Sequence, residues 1–426
     1  MRETRALSEI LSQSYFVQAQ IFPFSYQNVA LRGNATKIDG LLIREYLRRR
    51  RAIPAPEPPQ EVLGGYTEMA YQGVARRVLH YDVTSLYPSV MLAFGYFPRR
   101  DTLGVFPSLL RDLRAFRVQA KHLARAAETD EARAYYDALQ STFKILINSF
   151  YGYLAFLLGH FNDYPAANQV TAKGRELIQA IMAWLKDRGA RLIEIDTDGL
   201  YVVAPPDVRT PEEEQHLLHD MSKILPEGIS LELAGRYQAM FSYKMKNYVL
   251  LDEAGRLSIT GSGLRSRGLE LFQRGWMEEM FLHLLRGAPE RIRELTQRYA
   301  EAFEQHKFDI RKFMKTETLQ DSLETYREKI RGGRRNPAAA YELALRSERP
   351  YQPGDQISYY VAGTSKKVKV HEAARLASEW DPKNPDENVE YYKAKLVELA
   401  EKFRPFFESS QGQQTAGTNG IAVGAP

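Results

Sequence analysis

The 426-residue chain contains no cysteine. That excludes disulfides, thiolate zinc modules, iron–sulfur clusters and thiol nucleophiles. A bound metal must then be held mainly by carboxylates or by some of the eight histidines, and hard oxygen ligands favour Mg2+ or Mn2+. No run approaches the roughly 18 apolar residues that span a bilayer. The charged start Met1-Arg2-Glu3-Thr4-Arg5 lacks the apolar segment of a secretory signal. A cytoplasmic location with no membrane partner is expected, and Asn34-Ala35-Thr36 is not read as a glycosylation site. There is no Gly-x-x-x-x-Gly-Lys-Ser/Thr loop, and His371-Glu372 has no second His four residues on. Gly261-Ser262-Gly263 with Gly268 has the wrong spacing for a dinucleotide fingerprint.

What is present is globular: 44% hydrophobic residues, 26% charged, with 25 Tyr and 20 Phe. The length suggests about three domains. A net charge of +5 admits nucleic acid as a partner without requiring it.

Along the chain, residues up to Gly33 read as loop and short strand. Ile38, Leu41, Leu42 and Tyr46 mark an amphipathic helix. It runs into Arg48-Arg49-Arg50-Arg51, a solvated face or a phosphate contact. Pro54, Pro56, Pro58, Pro59 and Gly64-Gly65 form a stiff connector, the expected domain boundary. Residues 78–83 alternate as a strand. Ser108 is the expected N-cap of a helix to Ala127, with Leu109, Leu113, Phe116 and Ala120 on one stripe. A second helix over 132–156 completes a hairpin. Two strands, 192–195 and 200–203, flank a turn at Asp198-Gly199. From Arg267 the pattern is mainly helical, with a strand at 357–361. Residues 409–426, rich in Gly, Ser, Gln, Ala and Thr, are expected to be disordered.

Three segments carry chemistry. Asp82-Val83-Thr84-Ser85-Leu86-Tyr87-Pro88-Ser89 puts an acid at a strand end before a turn whose backbone N–H groups can meet an anion. On Lys144-Ile145-Leu146-Ile147-Asn148-Ser149-Phe150-Tyr151-Gly152, Lys144, Asn148 and Tyr151 share one helix face. Arg114, Arg117 and Lys121 share a face of the preceding helix, and cations facing across the hairpin suit a triphosphate. Glu194-Ile195-Asp196-Thr197-Asp198-Gly199 crowds carboxylates at a turn, which a divalent metal pair relieves. The plainer readings are a capped surface Asp, two helices with solvated basic sides and an exposed Asp-rich turn.

In order and residue type, these segments resemble the three polymerase motifs of the family B DNA polymerases. Thr171-Ala172-Lys173-Gly174-Arg175 resembles that family's Thr-x-x-Gly-Arg helix start. Lys244-Met245-Lys246-Asn247-Tyr248 resembles its Lys-Lys-x-Tyr motif, with Met245 in place of the first Lys. Arg267-Gly268-Leu269-Glu270 resembles the passage from palm to thumb, and Pro353-Gly354-Asp355, Ile357-Ser358-Tyr359 and Tyr391-Tyr392 resemble the thumb's later course.

The resemblance implies an α+β right-hand polymerase. It would have an antiparallel-sheet palm (70–106 and 157–262), helical-hairpin fingers (107–156) and a mainly helical thumb (263–408), after a lead-in and linker (1–69). The implied reaction adds deoxynucleotides to a primer 3′-OH. Asp82 and Asp198 would hold two Mg2+ ions, or Mn2+ as substitute, with the Val83 backbone as a further ligand and Asp196 as helper. Arg117, Lys121 and Lys144 would hold the triphosphate, and Ser85, Leu86 and Asn148 would line the nucleotide pocket. Tyr87 would lie beneath the sugar and leave no room for a 2′-OH. Tyr151 and Gly152 would border the nascent pair and template. Lys246, Tyr248, Arg175 and Arg267 would contact DNA.

Implied partners are primer–template DNA and deoxynucleoside triphosphates, with a separate exonuclease subunit or a sliding clamp beside them, in a nucleoid-associated setting. Two other readings are the polymerase subunit of a split enzyme and a non-catalytic primer–template-binding protein. Glu194 and Gly199 depart from the family's frequent Tyr and Ser; an extra carboxylate at Glu194 is expected to alter metal preference or primer-end handling. Arg2–Leu7 resembles the stretch after the family's last exonuclease motif, and no Asp-x-Glu precedes Asp82. The chain therefore reads as cut at the exonuclease–polymerase junction and is expected not to proofread.

Overall fold

The computed structural model describes residues 2–266 and 268–408. Arg267 and the tail expected to be disordered lie outside the described residues. The chain forms two compact units. Among the described residues, one comprises 2–70 with Leu79–Gly235; the other comprises Tyr71–Val78 with those between Arg236 and Glu408. Helices and antiparallel strands together make an α+β fold.

The first unit opens with α1 (Arg2–Ile21), α2 (Tyr26–Leu31) and α3 (Asn34–Arg48). On α3, Ile38, Leu41, Leu42 and Tyr46 are all buried, as the periodicity predicts. The residues before it are helical, not loop and strand. Their apolar signal misleads because it faces outward: Val17 is buried, but Leu7, Ile10, Leu11 and Phe16 are exposed. Residues 51–66 have no regular structure, yet they are no free linker. Glu57 N donates to Asn162 Oδ1 (2.8 Å), Leu63 N to Asn168 Oδ1 (2.9 Å), and Arg175 Nη1 to Gly64 O (2.6 Å). Side chains of the later sequence thus hold the connector inside the first unit.

Next come β1 (Thr67–Met69), β2 (Gly73–Val83) and α4 (Leu86–Phe94). The helical hairpin is α5 (Val105–Ala126) and α6 (Asp130–Leu154). Ser108 does not cap α5. The helix starts four residues earlier, from an N-cap at Gly104 with φ +66°, and Asp101 Oδ2 accepts from Phe106 N at 2.6 Å. A Gly adopts that left-handed conformation without a Cβ penalty. The buried stripe is Phe106, Leu110, Leu113 and Ala120, and Phe116 is 52% exposed.

In α7 (Tyr164–Asp187), Asp163 is the N-cap and accepts from Ala166 N at 3.0 Å. Thr171–Arg175 therefore occupies the middle of that helix, not its start. Antiparallel β3 (Arg191–Asp196) and β4 (Gly199–Val203) close on the pair Asp196–Gly199. The turn is thus Thr197-Asp198, with Thr197 at φ +58°, rather than Asp198-Gly199. β1 pairs with the other edge of β3, and α8 (Pro211–Ser222) follows β4. Leu79, Tyr81 and Val83 of β2 join Leu146, Phe150, Ile178 and Ile195 in one core.

In the second unit, β5 (Leu231–Lys244), from Arg236 on, forms an antiparallel meander with β6 (Asn247–Asp252) and β7 (Leu257–Thr260). Phe241 and Val249 pack with Trp276 and Phe281 of α9 (Leu271–Arg286). Then follow α10 (Arg291–Glu304), α11 (Ile310–Phe313), β8 (Lys315–Thr318), α12 (Leu323–Arg331) and α13 (Ala339–Arg346). The last elements are β9 (Gln356–Val361), α14 (Val370–Ala373), β10 (Ala374–Leu376) and α15 (Val389–Phe407). The predicted β9 is the middle of a three-stranded antiparallel sheet with β8 and β10. Those two strands, of four and three residues, are too short to show an alternation. Among the described residues, no helix is long and apolar enough to cross a membrane.

Candidate active site

β2 delivers Asp82 at its C-terminal end. The next residue, Val83, donates its N–H to Asp198 O at 2.8 Å, which ties the β2 end to the β3–β4 turn. Thr84 N donates to Ser230 O at 2.9 Å and brings in the start of β5, with Glu232. Ser85 then takes a left-handed conformation (φ +49°) and turns the chain into α4 without a side-chain cap. A non-glycine residue in that region costs about 1 kcal/mol. Both Ser85 and Thr197 hold it, and such strain persists where the surroundings over-determine the backbone.

These segments enclose a cavity of about 360 Å³. Asp82, Asp198, Thr197 and Glu232 line it, as do Thr84, Ser85, Leu86, Tyr87 and Pro88. The hairpin contributes Arg117 from α5 and Lys144 and Asn148 from α6. The two acidic segments and the basic helix face singled out in the sequence are therefore brought together. Burial, then the charges of Asp198 and Glu232, push the Asp82 carboxyl up to about 7, against the pull of Lys144. Arg117 Nε is buried and makes no hydrogen bond among the described residues. Burial lowers the Arg117 pKa, and Glu232 opposes the shift. One wall thus holds more negative charge than its neighbours neutralise, and another holds a guanidinium donor with nothing to bind.

Tyr87 packs against Tyr151, ring centroids 4.4 Å apart. Burial raises the Tyr87 phenol well above its ordinary range. Gly199 is a matter of space: a Cβ there would fall 2.7 Å from His80 Nε2 and 3.3 Å from Asp82 Oδ1, so a Ser would collide. His80 stacks on Tyr201 at 4.2 Å and 6°, and burial pushes its imidazole down to about 4, so it is neutral at pH 7.

Several predicted residues are not at the cavity. Asp196 does not line it; its charge acts on His80. Glu194 is fully buried opposite Tyr201 in the β3–β4 register, not beside Asp198. Strand alternation relates Glu194 to Asp196 but does not extend to Asp198, which belongs to the turn. Val83 contributes backbone, its side chain being in the core. Lys121 is exposed one turn beyond Arg117, and Gly152 is exposed beside Tyr151. Arg175 is bonded to the connector at Gly64 O. Lys246, in the β5–β6 turn at φ +58°, and the buried Tyr248 belong to the second unit.

Sequence reasoning missed Glu232. Its signal is one acid between Leu231 and Leu233 at a strand start, which alternation alone would point away from the core. Among the described residues, no group of three or more Asp, Glu or His is gathered closely enough to hold a metal ion. Asp82 and Asp198 are nonetheless hard oxygen donors at one cavity, and the Asp82 pKa, raised first by burial and then by the charges of Asp198 and Glu232, is one that a cation would bring down.

The model of DNA polymerase family B matches residues 96–403. A DNA polymerase of Thermococcus sp. (strain 9oN-7) is 26% identical over 92% of this chain and 54% of its own length. DNA polymerase 1 of Pyrococcus abyssi (strain GE5 / Orsay) is 30% identical over 55% of this chain and 32% of its own. The solved structure of the family B DNA polymerase from the hyperthermophilic archaeon Pyrobaculum calidifontis shares the fold. Its TM-score is 0.72 at 20% identity, over 97% of this chain and 56% of that one. The chain spans about half the length of the first relatives it matches. With a family match over most of its residues, this chain belongs to DNA polymerase family B.

Proposed function

We propose that the chain carries the polymerase reaction of a DNA-directed DNA polymerase, adding deoxynucleotides to a primer 3′-OH and releasing pyrophosphate. One observation carries the proposal: Asp82 and Asp198, from distant segments, share a cavity with Arg117 and Lys144 of the hairpin. An acidic side beside a cationic side suits a triphosphate that arrives with divalent metal.

Asp82 and Asp198, with the Val83 backbone, would hold two Mg2+ ions, or Mn2+. Bound metal supplies a more acidic primer hydroxyl and neutralises charge on the reacting phosphates. The chain's own groups do the positioning. Arg117 and Lys144 grip the triphosphate, and the unbonded Arg117 Nε gains an acceptor. The start of α4, at Ser85, Leu86 and Tyr87, offers N–H groups and the positive end of the helix dipole to the same anion. Asn148 lines the pocket, and the Tyr87 ring excludes a 2′-OH. Asp196 and Lys121 lie outside the cavity and receive no substrate contact. Tyr151, Gly152, Arg175, Lys246, Tyr248 and Arg267 serve the primer–template. In this reading α5 and α6 are the fingers, the β1–β4 strands and the meander the palm, and the residues from 263 on the thumb.

In this proposal the 426 residues extend primers without proofreading. A labelled primer with a mismatched 3′ nucleotide tests that point, and Mg2+-dependent removal of the nucleotide overturns it. A second reading has a separate exonuclease chain covering the exposed apolar face of α1, where Leu7, Ile10 and Leu11 lie. The main experiment is extension of a labelled primer by the protein alone with Mg2+ and deoxynucleotides. Stepwise extension is expected. Extension only on adding such a partner favours the split enzyme, and none at all overturns the proposal.

A further inference from the structure

The ring proposed to select the sugar is seated by two glycines, an inference that rests on the polymerase reading above. A Cβ on Gly65 would fall 2.5 Å from Tyr87 Oη and 2.7 Å from Thr197 Cγ2. A Cβ on Gly174 would fall 3.1 Å from Tyr87 Cε1 and 3.4 Å from Leu86 Cδ2. Tyr151 closes another side of the ring at 4.4 Å. Neither glycine has a positive φ, so backbone freedom does not explain them. Gly174 is buried inside α7, where Gly is a poor helix former. Both positions keep space empty for Tyr87.

The Gly65 side of this seat cannot retreat. Arg175 Nη1 donates to Gly64 O at 2.6 Å, and Thr197 N donates to Tyr66 O at 2.9 Å. Residues 64–66 are thus fastened to α7 on one side and to the turn that carries Asp198 on the other. We propose that Gly65 and Gly174 are positioning residues that fix the Tyr87 ring, and that the connector thereby sets discrimination between deoxyribo- and ribonucleoside triphosphates.

The test is single-nucleotide primer extension with each sugar, reading the deoxy-to-ribo ratio of kcat/KM. In Gly65→Ala the Tyr87 hydroxyl must leave its place and the ring tips off its seat, so the ratio falls about tenfold, within the roughly 10²-fold that a 1 Å misplacement can cost. Gly174→Ala moves the ratio the same way by less. Gly65→Ala/Tyr87→Phe removes the atom met at 2.5 Å and returns the ratio to that of Tyr87→Phe alone. Loss of fold would lower both sugars together and would not be rescued by deleting a hydroxyl. An unchanged ratio in Gly65→Ala overturns the inference. So does rescue by Thr197→Ser in place of Tyr87→Phe, because the added methyl would then act on the turn. If the wild-type protein extends with neither sugar, the polymerase reading itself fails and takes this inference with it. If it extends normally and only the variants disagree, this inference alone fails.

Discussion

The cavity of the first unit and the interior of the second treat charge in opposite ways, although the first unit's other buried acids are also satisfied, Asp163 by Arg99 and Asp39 by His160. In the second, Glu270 is ion-paired with Lys395 through Oε1, although its Oε2 has no hydrogen-bond partner among the described residues. Glu387 is hydrogen-bonded to His306 Nδ1 (2.7 Å) and accepts from Trp380 Nε1 (2.8 Å). At the partly exposed Asp321, the Lys329 hydrogen bond, with Arg335 behind it, holds the carboxyl below its ordinary range. In the cavity of the first unit, Asp82 is pushed up to about 7 by burial and by two other acids, and Arg117 Nε has no hydrogen-bond partner among the described residues. Charge that is neutralised in place serves packing. Charge left unbalanced in a concave site is poised for a ligand that brings the opposite sign.

The sharpest way to break this contrast is Asp198→Asn. It should lower primer extension by about 10³-fold or more, the scale of losing transition-state charge stabilisation, while binding of a labelled primer–template duplex stays within about twofold. Retained extension would remove Asp198 from the proposed metal site. Lys395→Ala should do the reverse. It strands the buried Glu270, so urea denaturation should show a loss of about 3 kcal/mol with the deoxy-to-ribo ratio unchanged. Arg117→Ala is next. It should raise KM for the nucleotide about 10- to 100-fold, a charge-assisted contact of about 1.4–2.8 kcal/mol on the usual conversion. Lys121→Ala, outside the cavity, should leave KM within about twofold; equal losses from both would mean that the phosphate grip runs further along α5.

What could be seen in the sequence follows from what has local pattern. Asp82, Lys144 and Asp198 stand in long motifs whose order and residue types are specific, and α3 and the β3–β4 hairpin have full periods of their own. Glu232 has no motif around it; it reaches the site because Thr84 N–H bonds to Ser230 O, a long-range pairing. Gly64-Gly65 reads as linker composition, yet it is pressed against Tyr87, because space-filling is invisible without the neighbour that fills it. The N-terminal helices were hidden for another reason. Their exposed apolar residues at Leu7, Ile10 and Leu11 do not trace a buried face.

Asp82 offers a smaller test of the same contrast, in metal-free protein. Its folded-state pKa is raised from 3.8 to about 7. Below about pH 4 folded and unfolded chains both hold the proton, so this group costs nothing. Between about 4 and 7 the unfolded chain gives it up first, so stability falls as pH rises, and the loss is complete above about 7. With chelator present, thermal melts of Asp82→Asn should lack this part of the slope, gaining on wild type from about pH 4 to about pH 8. Adding Mg2+ to wild type should narrow the gap. A gap that stays constant with pH would show that the carboxyl is solvated enough to ionise normally.

Glu194→Gln should have the smallest effect. As an extra carboxylate at the metal site, the expectation from the sequence, Glu194 would alter the response to Mg2+ and Mn2+. It is instead fully buried opposite Tyr201 and absent from the cavity wall. The amide keeps the carboxylate's shape and one acceptor oxygen, so the metal concentrations giving half-maximal extension should stay within about twofold for both ions. A larger shift for either ion would mean that the Glu194 charge reaches the metal site through the sheet, and the line between neutralised and waiting charge would have to be redrawn to include β3.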